Sequence, residues 1–246
     1  MSSESEIVEE KTKADAGASY SPFVLLVELE GAAVAARRAE YDALKSLLAG
    51  SNGKLTPHHF VRHALNQPPA QYLPGLLDAI GVAKKSVDQL AEEVRNGVAL
   101  YLSSSEAALR PQIEELIMAA SAKKMRIGFV TTHRESIAQN LMVKWGLPEN
   151  AAQVFAFENY EKQFPRADIL LKMAKSLSCT PRQCVVVAGS QFSAKAALSA
   201  GMRCMVVPDE FTAFQDFSGA DVILDDEADI QPADALNRVT PMKAIG

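Results

Sequence analysis

The stretch FVLLVELEGAAV, residues 23–34, sets an apolar run directly against two carboxylates, Glu28 and Glu30, and then a glycine. A continuous apolar run, rather than an alternating one, predicts a strand covered on both faces, here Phe23–Val27. In an open parallel sheet, side chains just past the carboxyl ends of the strands converge on one crevice, where ligands bind. Residues i and i+2 of an extended chain share a face. Glu28 and Glu30 are therefore expected to point the same way, with Gly31 letting the chain swing out beyond them.

The same kind of run recurs along the chain. Further strands are expected at Arg126–Val130, Gln153–Phe157, Gln183–Val187, Arg203–Val207 and Val222–Leu224. Helical stretches lie between them: Pro111–Lys123, Glu135–Trp145, Asp168–Leu177 and Ala194–Ala200. This strand–helix rhythm predicts an α/β fold, a doubly wound parallel sheet with helices on both sides. One region breaks the rhythm. Between the first two strands the sequence reads as helices only: Ala36–Leu48, Pro57–Leu65, Pro69–Ile80 and Lys84–Leu102. The turn-rich stretches GSNGKLTP and NQPP separate them. The expected organisation is a flexible acidic tail at 1–21, an α/β core from 22–35 and 107–246, and an all-helical cap at 36–106. A cap inserted there sits over the carboxyl edge of the sheet.

Bulk properties narrow the function. The 246 residues carry a net charge of −5, without a block of Lys or Arg. Neither nucleic acid nor a membrane surface is expected as a partner. No apolar run approaches the roughly 20 residues of a membrane helix. The three cysteines, Cys179, Cys184 and Cys204, show no paired spacing and read as reduced thiols of a cytoplasmic protein.

Three segments carry a resemblance: LRPQIEELIMAASAKKMRIGFVTT, FPRADILLKMAKSLSCTPRQCVVVAGSQFSAKAALSAGMRCMVVP and FTAFQDFSGADVILDD. With the strand-end acids, they resemble the haloacid dehalogenase-like (HAD) superfamily. The branch is the one with a helical cap after strand one, which holds phosphoglycolate phosphatases and β-phosphoglucomutases. The resemblance spans Pro22 to Asp226, and over the cap it extends only to length and helicity. It implies a Rossmann-like core and phosphoryl-transfer chemistry. In the family, strand one ends in Asp-x-Asp-Gly-Thr. The first Asp attacks phosphorus and the second acts as acid and base. A Thr or Ser after the next strand binds the phosphoryl oxygens, a Lys neutralises charge, and a later acidic pair helps hold Mg²⁺.

This chain departs from that pattern. The two Asp positions fall on Glu28 and Glu30, and the Thr of the motif on Ala32. Thr131 matches the hydroxyl, but the Lys position is Phe164. The acidic pair falls on Ala188 and Gly189, with Ser190 matching the residue after it. Asp to Glu moves the attacking oxygen by about 1 Å or more, enough to cost about a hundredfold in rate. Losing metal and lysine together removes the main electrostatic stabilisation.

The resemblance thus implies catalytic positions at Glu28, Glu30 and Thr131. Around them, substrate-binding positions are expected at Thr132, Arg134, Lys162, Arg166, Gly189 and Ser190. Arg134, Lys162 or Arg166 could swing a replacement cation into the crevice, and Asp209 and Asp225 could supply carboxylate. No cofactor is expected, and Mg²⁺ enters only if the site is rebuilt in this way. Left without such a cation, two acids in one crevice raise the pKa of at least one through mutual repulsion. His59 and His63 share a helix face at i, i+4, but no third metal ligand accompanies them. Restoring the motif through Glu28→Asp, Glu30→Asp, Phe164→Lys and Gly189→Asp is expected to bring metal binding back.

Three functions follow. The chain is a catalytically degenerate HAD-like protein binding a small phosphorylated or anionic ligand, or a protein partner. Alternatively it is a working hydrolase on a small phosphorylated metabolite, using Glu28, Glu30 and a relocated cation. In the third reading it is an interaction domain with a vestigial crevice.

Overall fold

All five residues of β1, Val24–Glu28, are buried, and the four apolar side chains divide between two cores. Leu25 and Val27 face one side of the sheet, while Val24 and Leu26 face the other, as the period of two along a strand requires. The computed structural model describes residues 21–82, 86–147, 152–158, 164–225 and 228–241. Within them, β1 is joined by β2 (Arg126–Thr131), β3 (Ala152–Ala156), β4 (Cys184–Ala188), β5 (Arg203–Val206) and β6 (Val222–Ile223). The order across the sheet is β3-β2-β1-β4-β5-β6, with every pairing parallel. The expected α/β class and parallel topology are present.

Among the described residues, four α-helices make up the insert after β1: α1 (Ala36–Leu47), α2 (Pro57–Ala64), α3 (Pro69–Ala79) and α4 (Val87–Ser103). The remaining helices are α5 (Pro111–Ala122), α6 (Glu135–Lys144), α7 (Ala167–Ser176), α8 (Gln191–Ser199) and α9 (Pro232–Val239). Punctuation follows side-chain chemistry. Thr56 caps α2 by accepting from the His59 amide, and Pro57 takes the first position, where its missing N–H costs nothing. Ser86 and Ser190 cap α4 and α8 in the same way. The paired prolines of NQPP serve as the cap and first residue of α3.

Helices α5, α6 and α9 pack Ile113, Leu116, Leu141 and Leu236 onto the Leu25 face. Helices α7 and α8 pack Leu170, Met173, Ala194 and Ala197 onto the Val24 face. The four-helix insert has its own core, around Tyr41, Leu44, Phe60, Leu73, Leu76 and Val94. Phe211, from the loop after β5, enters that core, with its ring centroid 5.5 Å from Tyr41 and 5.0 Å from Phe60. The cap is therefore wedded to the sheet domain by an apolar plug as well as by chain continuity.

Among the described residues no helix is long and apolar enough to cross a membrane. Cys184 and Cys204 are buried, as packing residues. Cys179 and Cys184, five positions apart, lie with their sulfurs 3.3 Å from each other, a proximity the spacing did not announce. The tail at 1–20 and the expected start of the last cap helix at Lys84 fall outside the described residues.

Candidate functional site

Past Glu28 the chain does not stay extended. Leu29–Ala33 form a single π-helical turn, so the shared-face premise for Glu28 and Glu30 ends at Leu29. The two acids part toward the strands on either side of β1. Glu28 turns toward β4, where its Oε2 accepts from the Gly189 amide at 2.9 Å and its Oε1 from the Ser193 hydroxyl at 2.8 Å. Glu30 turns toward β2, where its Oε1 accepts from the Thr131 hydroxyl and, at 3.1 Å, from the Thr132 amide. Thr131 also accepts from the His133 amide at 3.0 Å.

Two glycines make this knot of chain possible through space rather than flexibility. A Cβ on Gly31 would stand 2.3 Å from the Glu28 carboxyl carbon. A Cβ on Gly189 would stand 1.6 Å from the Gly31 carbonyl oxygen. Gly31 thus serves to admit the Glu28 carboxylate, not to swing the chain out.

The cation beside these acids comes from the cap. Arg37, in the first turn of α1, is only 7% exposed. Its Nη1 donates to the Gly31 carbonyl at 2.8 Å and to Asp209 Oδ2 at 2.6 Å. Next to it, Arg38 forks onto Glu210 at the rim. Asp209 also accepts from the Phe211 amide at 2.9 Å, which places the apolar plug and the ion pair on one loop.

Burial is what pushes the Glu28 carboxyl up from its ordinary value. Arg37, the Gly189 amide and the Ser193 hydroxyl pull it down, and repulsion from Glu30 is the smallest contribution. The expected upward shift is present, but desolvation causes it more than the like charge does. Burial likewise lowers His133, with Glu30 opposing. Glu40, one turn along α1 from Arg37, accepts from the Tyr72 hydroxyl at 2.7 Å, and burial pushes its carboxyl up to about 7.

These groups line a cavity of about 100 Å³ between cap and sheet. Its floor is Glu28, Glu30, Gly31, Thr132 and His133, and its polar cap side is Arg37, Glu40, Asn66, Gln67 and Arg95. Phe164 closes one wall at 8% exposure. The Phe164 amide donates to the Asn66 carbonyl at 3.1 Å, and the Asn66 side chain donates back to the Phe164 carbonyl at 3.0 Å. The residues expected from sequence scatter around this cavity. Thr131 is fully buried beneath it, and Thr132 is on its floor. Gly189 and Ser190 lie behind Glu28, with the Gly189 amide already given to that carboxylate and Ser190 capping α8. Arg134 is exposed and outside the lining. Arg166 is exposed and forks onto Asp168. Lys162 lies outside the described residues. His59 bonds Thr56 at 3.0 Å through Nδ1.

The oxygens do not fit a divalent ion well. Both Glu28 oxygens and the Gly31 carbonyl have N–H or O–H partners, and position 189 offers no side chain. Among the described residues no group of three His, Cys, Asp or Glu is arranged to hold a metal. Sequence reasoning missed Arg37, Ser193 and Glu40. Only Arg37 left a signal, as one of a pair of basic residues, Arg37 and Arg38, following the apolar run at 32–36.

Thr131→Val tests the Glu30 anchor. Removing a buried donor to a carboxylate is expected to cost about 1–3 kcal/mol in urea denaturation. An unchanged midpoint would count against that bond.

The profile of the haloacid dehalogenase-like hydrolase family matches residues 40–207, more than half of the chain. The chain is 28% identical over 210 residues to protein CbbY of Cereibacter sphaeroides, covering 83% of each. The crystal structure of CbbY from Rhodobacter sphaeroides in complex with phosphate superposes with a TM-score of 0.68 at 21% identity, over 82% of this chain and 92% of that one. The crystal structure of a protein described as a predicted phosphoglycolate phosphatase from Haemophilus somnus gives 0.66 at 17% identity, over 88% of this chain and 98% of that one.

Proposed function

The chain belongs to the haloacid dehalogenase-like hydrolase family, in the helical-cap branch related to phosphoglycolate phosphatases and β-phosphoglucomutases, and from that premise we propose that it binds a ligand without Mg²⁺-dependent phosphoryl transfer. The ligand class is a small phosphorylated or anionic molecule, held in the cavity between cap and sheet. The supporting observation is the state of Glu28, at the position of the family's attacking acid. It is 6% exposed, with one oxygen committed to the Gly189 amide and the other to the Ser193 hydroxyl.

An attacking carboxylate must offer a lone pair in line with the leaving group, within about 3–3.5 Å of the reacting atom. Glu28 instead has its oxygens turned toward α8. Burial raises its pKa and so disfavours the charged form that would have to attack. The electrostatic side is no better supplied. Phe164 stands at the lysine position, and Arg37 is spent on Asp209 and the Gly31 carbonyl. Phosphoryl transfer depends almost wholly on positioning and charge stabilisation, so these losses fall on the rate and leave binding possible. Arg95 and Gln67 on the cap side and the His133 ring on the floor supply donors for an anion. Phosphate is the first class to try, since CbbY holds it in a related fold.

One observation favours the rival enzyme reading: Arg37 is a relocated cation beside Glu28. Turnover separates the two. With p-nitrophenyl phosphate and a phosphosugar panel, rates are expected to stay at buffer level with or without Mg²⁺. Inorganic phosphate or a panel member is expected to raise the melting temperature by mass action. Turnover that disappears in Glu28→Ala would establish the enzyme instead. Silence in both assays would leave an interaction domain.

A further inference from the structure

We propose that the Arg37 guanidinium is a built-in cation occupying the place of the family's divalent ion, so that the folded site is indifferent to metal. The proposal deepens the preceding reading and rests on its identification of this cavity with the family's phosphoryl site. It does not depend on whether turnover occurs.

Carbonyl and carboxylate oxygens lie against the guanidinium. Its Nη1 touches the Gly31 carbonyl at 2.8 Å and the Asp209 carboxylate at 2.6 Å. The Glu28 carboxylate packs against the same glycine and feels Arg37 as its strongest favourable charge. A Cβ placed on Gly189 would lie 3.1 Å from Nη1. The Gly31 carbonyl of the π-helical turn and the Asp209 carboxylate of the loop after β5 are oxygens of the kind a hard divalent ion prefers, and here the guanidinium takes both, while the neighbouring Glu28 oxygens are given to the Gly189 amide and the Ser193 hydroxyl. The position that carries a metal acid in the family is Gly189, where the approach of the Gly31 carbonyl leaves no room for any side chain. The two features explain each other. Removing the side chain at 189 opens the space beside Nη1, and the guanidinium supplies the positive charge that Glu28 and Asp209 would otherwise lack.

The anchoring also explains why the cation comes from the cap. Arg37 and Arg38 are adjacent on α1, and each reaches one of the adjacent acids Asp209 and Glu210. The charge that neutralises the floor therefore also ties the cap to the sheet. A diffusible ion would leave the cap free to part from the floor.

The test uses the full chain with Mn²⁺ and Mg²⁺ as probes. The wild-type protein is expected to bind no Mn²⁺ at this site by electron paramagnetic resonance. Millimolar Mg²⁺ is expected to leave its melting temperature where a sodium salt of equal ionic strength leaves it. Arg37→Met keeps the length of the side chain and removes its charge, freeing the Gly31 carbonyl and Asp209 Oδ2 beside Glu28. That variant is expected to gain a bound Mn²⁺ signal and to melt about 3 °C or more higher with Mn²⁺ than without it. Arg37→Lys, which keeps the charge, is expected to stay indifferent. Mn²⁺ bound by the wild-type chain and lost in Glu28→Gln would overturn the proposal by itself, whatever the variants do. So would a folded Arg37→Met, judged by circular dichroism, that takes up no metal. If Arg37→Met does not fold, the wild-type titration decides. Metal-free turnover of phosphate esters would sink the preceding reading and leave this one standing.

Discussion

Adding one methyl group at residue 189 is expected to destabilise the fold by about 3 kcal/mol or more, beyond the usual cost of overpacking a core. The Cβ of Gly189→Ala would stand 1.6 Å from the Gly31 carbonyl oxygen and 2.3 Å from its carbon. Neither side can yield cheaply, because the obstacle is backbone. The π-helical turn is held by Arg37 on the Gly31 carbonyl, and the end of β4 by the Gly189 amide on Glu28. Moving the first takes the Gly31 carbonyl from Arg37, and moving the second strips the buried Glu28 of its amide partner. Gly50→Ala is the control, since a Cβ there meets nothing within 4 Å. Urea denaturation of the two variants checks the claim, and equal midpoints would mean that the close approach is absent. The same contact bears on restoring the family motif. Gly189→Asp begins with the same Cβ, so reinstating the family's acids is expected to break the site before it can bind metal.

The sheet was legible because its strands are buried on both faces. Continuous apolar runs at 24–27, 127–130 and 184–188 left little freedom over where the ladder lay, and observed bounds differ from expectation mainly by a residue at each end. The meeting of strand ends was legible for the same reason, and the bonds from Thr131 and Thr132 to Glu30 are its direct expression. What the sequence hid was the direction of long side chains. Arg134, Arg166 and Arg37 are equivalent as letters, yet one points to solvent, one folds onto Asp168, and one is buried against Asp209. That choice is made by packing of α1 against the loop after β5, across 172 positions of sequence. The π-helical turn was hidden too. Its residues, LEGAA, are ordinary helix formers and a glycine, and the reason for the glycine is a carboxylate three positions earlier.

Glu40→Gln is expected to make the protein more stable at pH 8 and to flatten its stability between about pH 4.5 and 7. Glu40 stands on the cavity wall, accepting from the Tyr72 hydroxyl at 2.7 Å. Burial raises its carboxyl to about 7, against the pull of Tyr72 and Arg37, while Glu30 adds slightly to the rise. The folded chain therefore keeps this proton up to about pH 7, whereas the unfolded chain releases it near the ordinary 4.5. Between those values the native state binds more protons, so stability is greatest below about 4.5 and falls as pH climbs through 7. Glutamine keeps the shape and the acceptor for Tyr72 but never ionises. Because Glu40 is half-buried rather than sealed, solvent screening reduces the full linkage, and the gain at pH 8 is about 1–3 kcal/mol. Other groups on the cavity set the background. Glu28, also raised, contributes a slope of the same sign that survives in the variant. His133, lowered, contributes the opposite sign, since the unfolded chain gains a proton on it first as pH falls. Melting temperatures of wild type and Glu40→Gln from pH 4.5 to 8.5 measure the difference. Curves that diverge steadily above pH 5 place the proton on Glu40, and parallel curves would show that this carboxyl is ionised in the folded chain throughout.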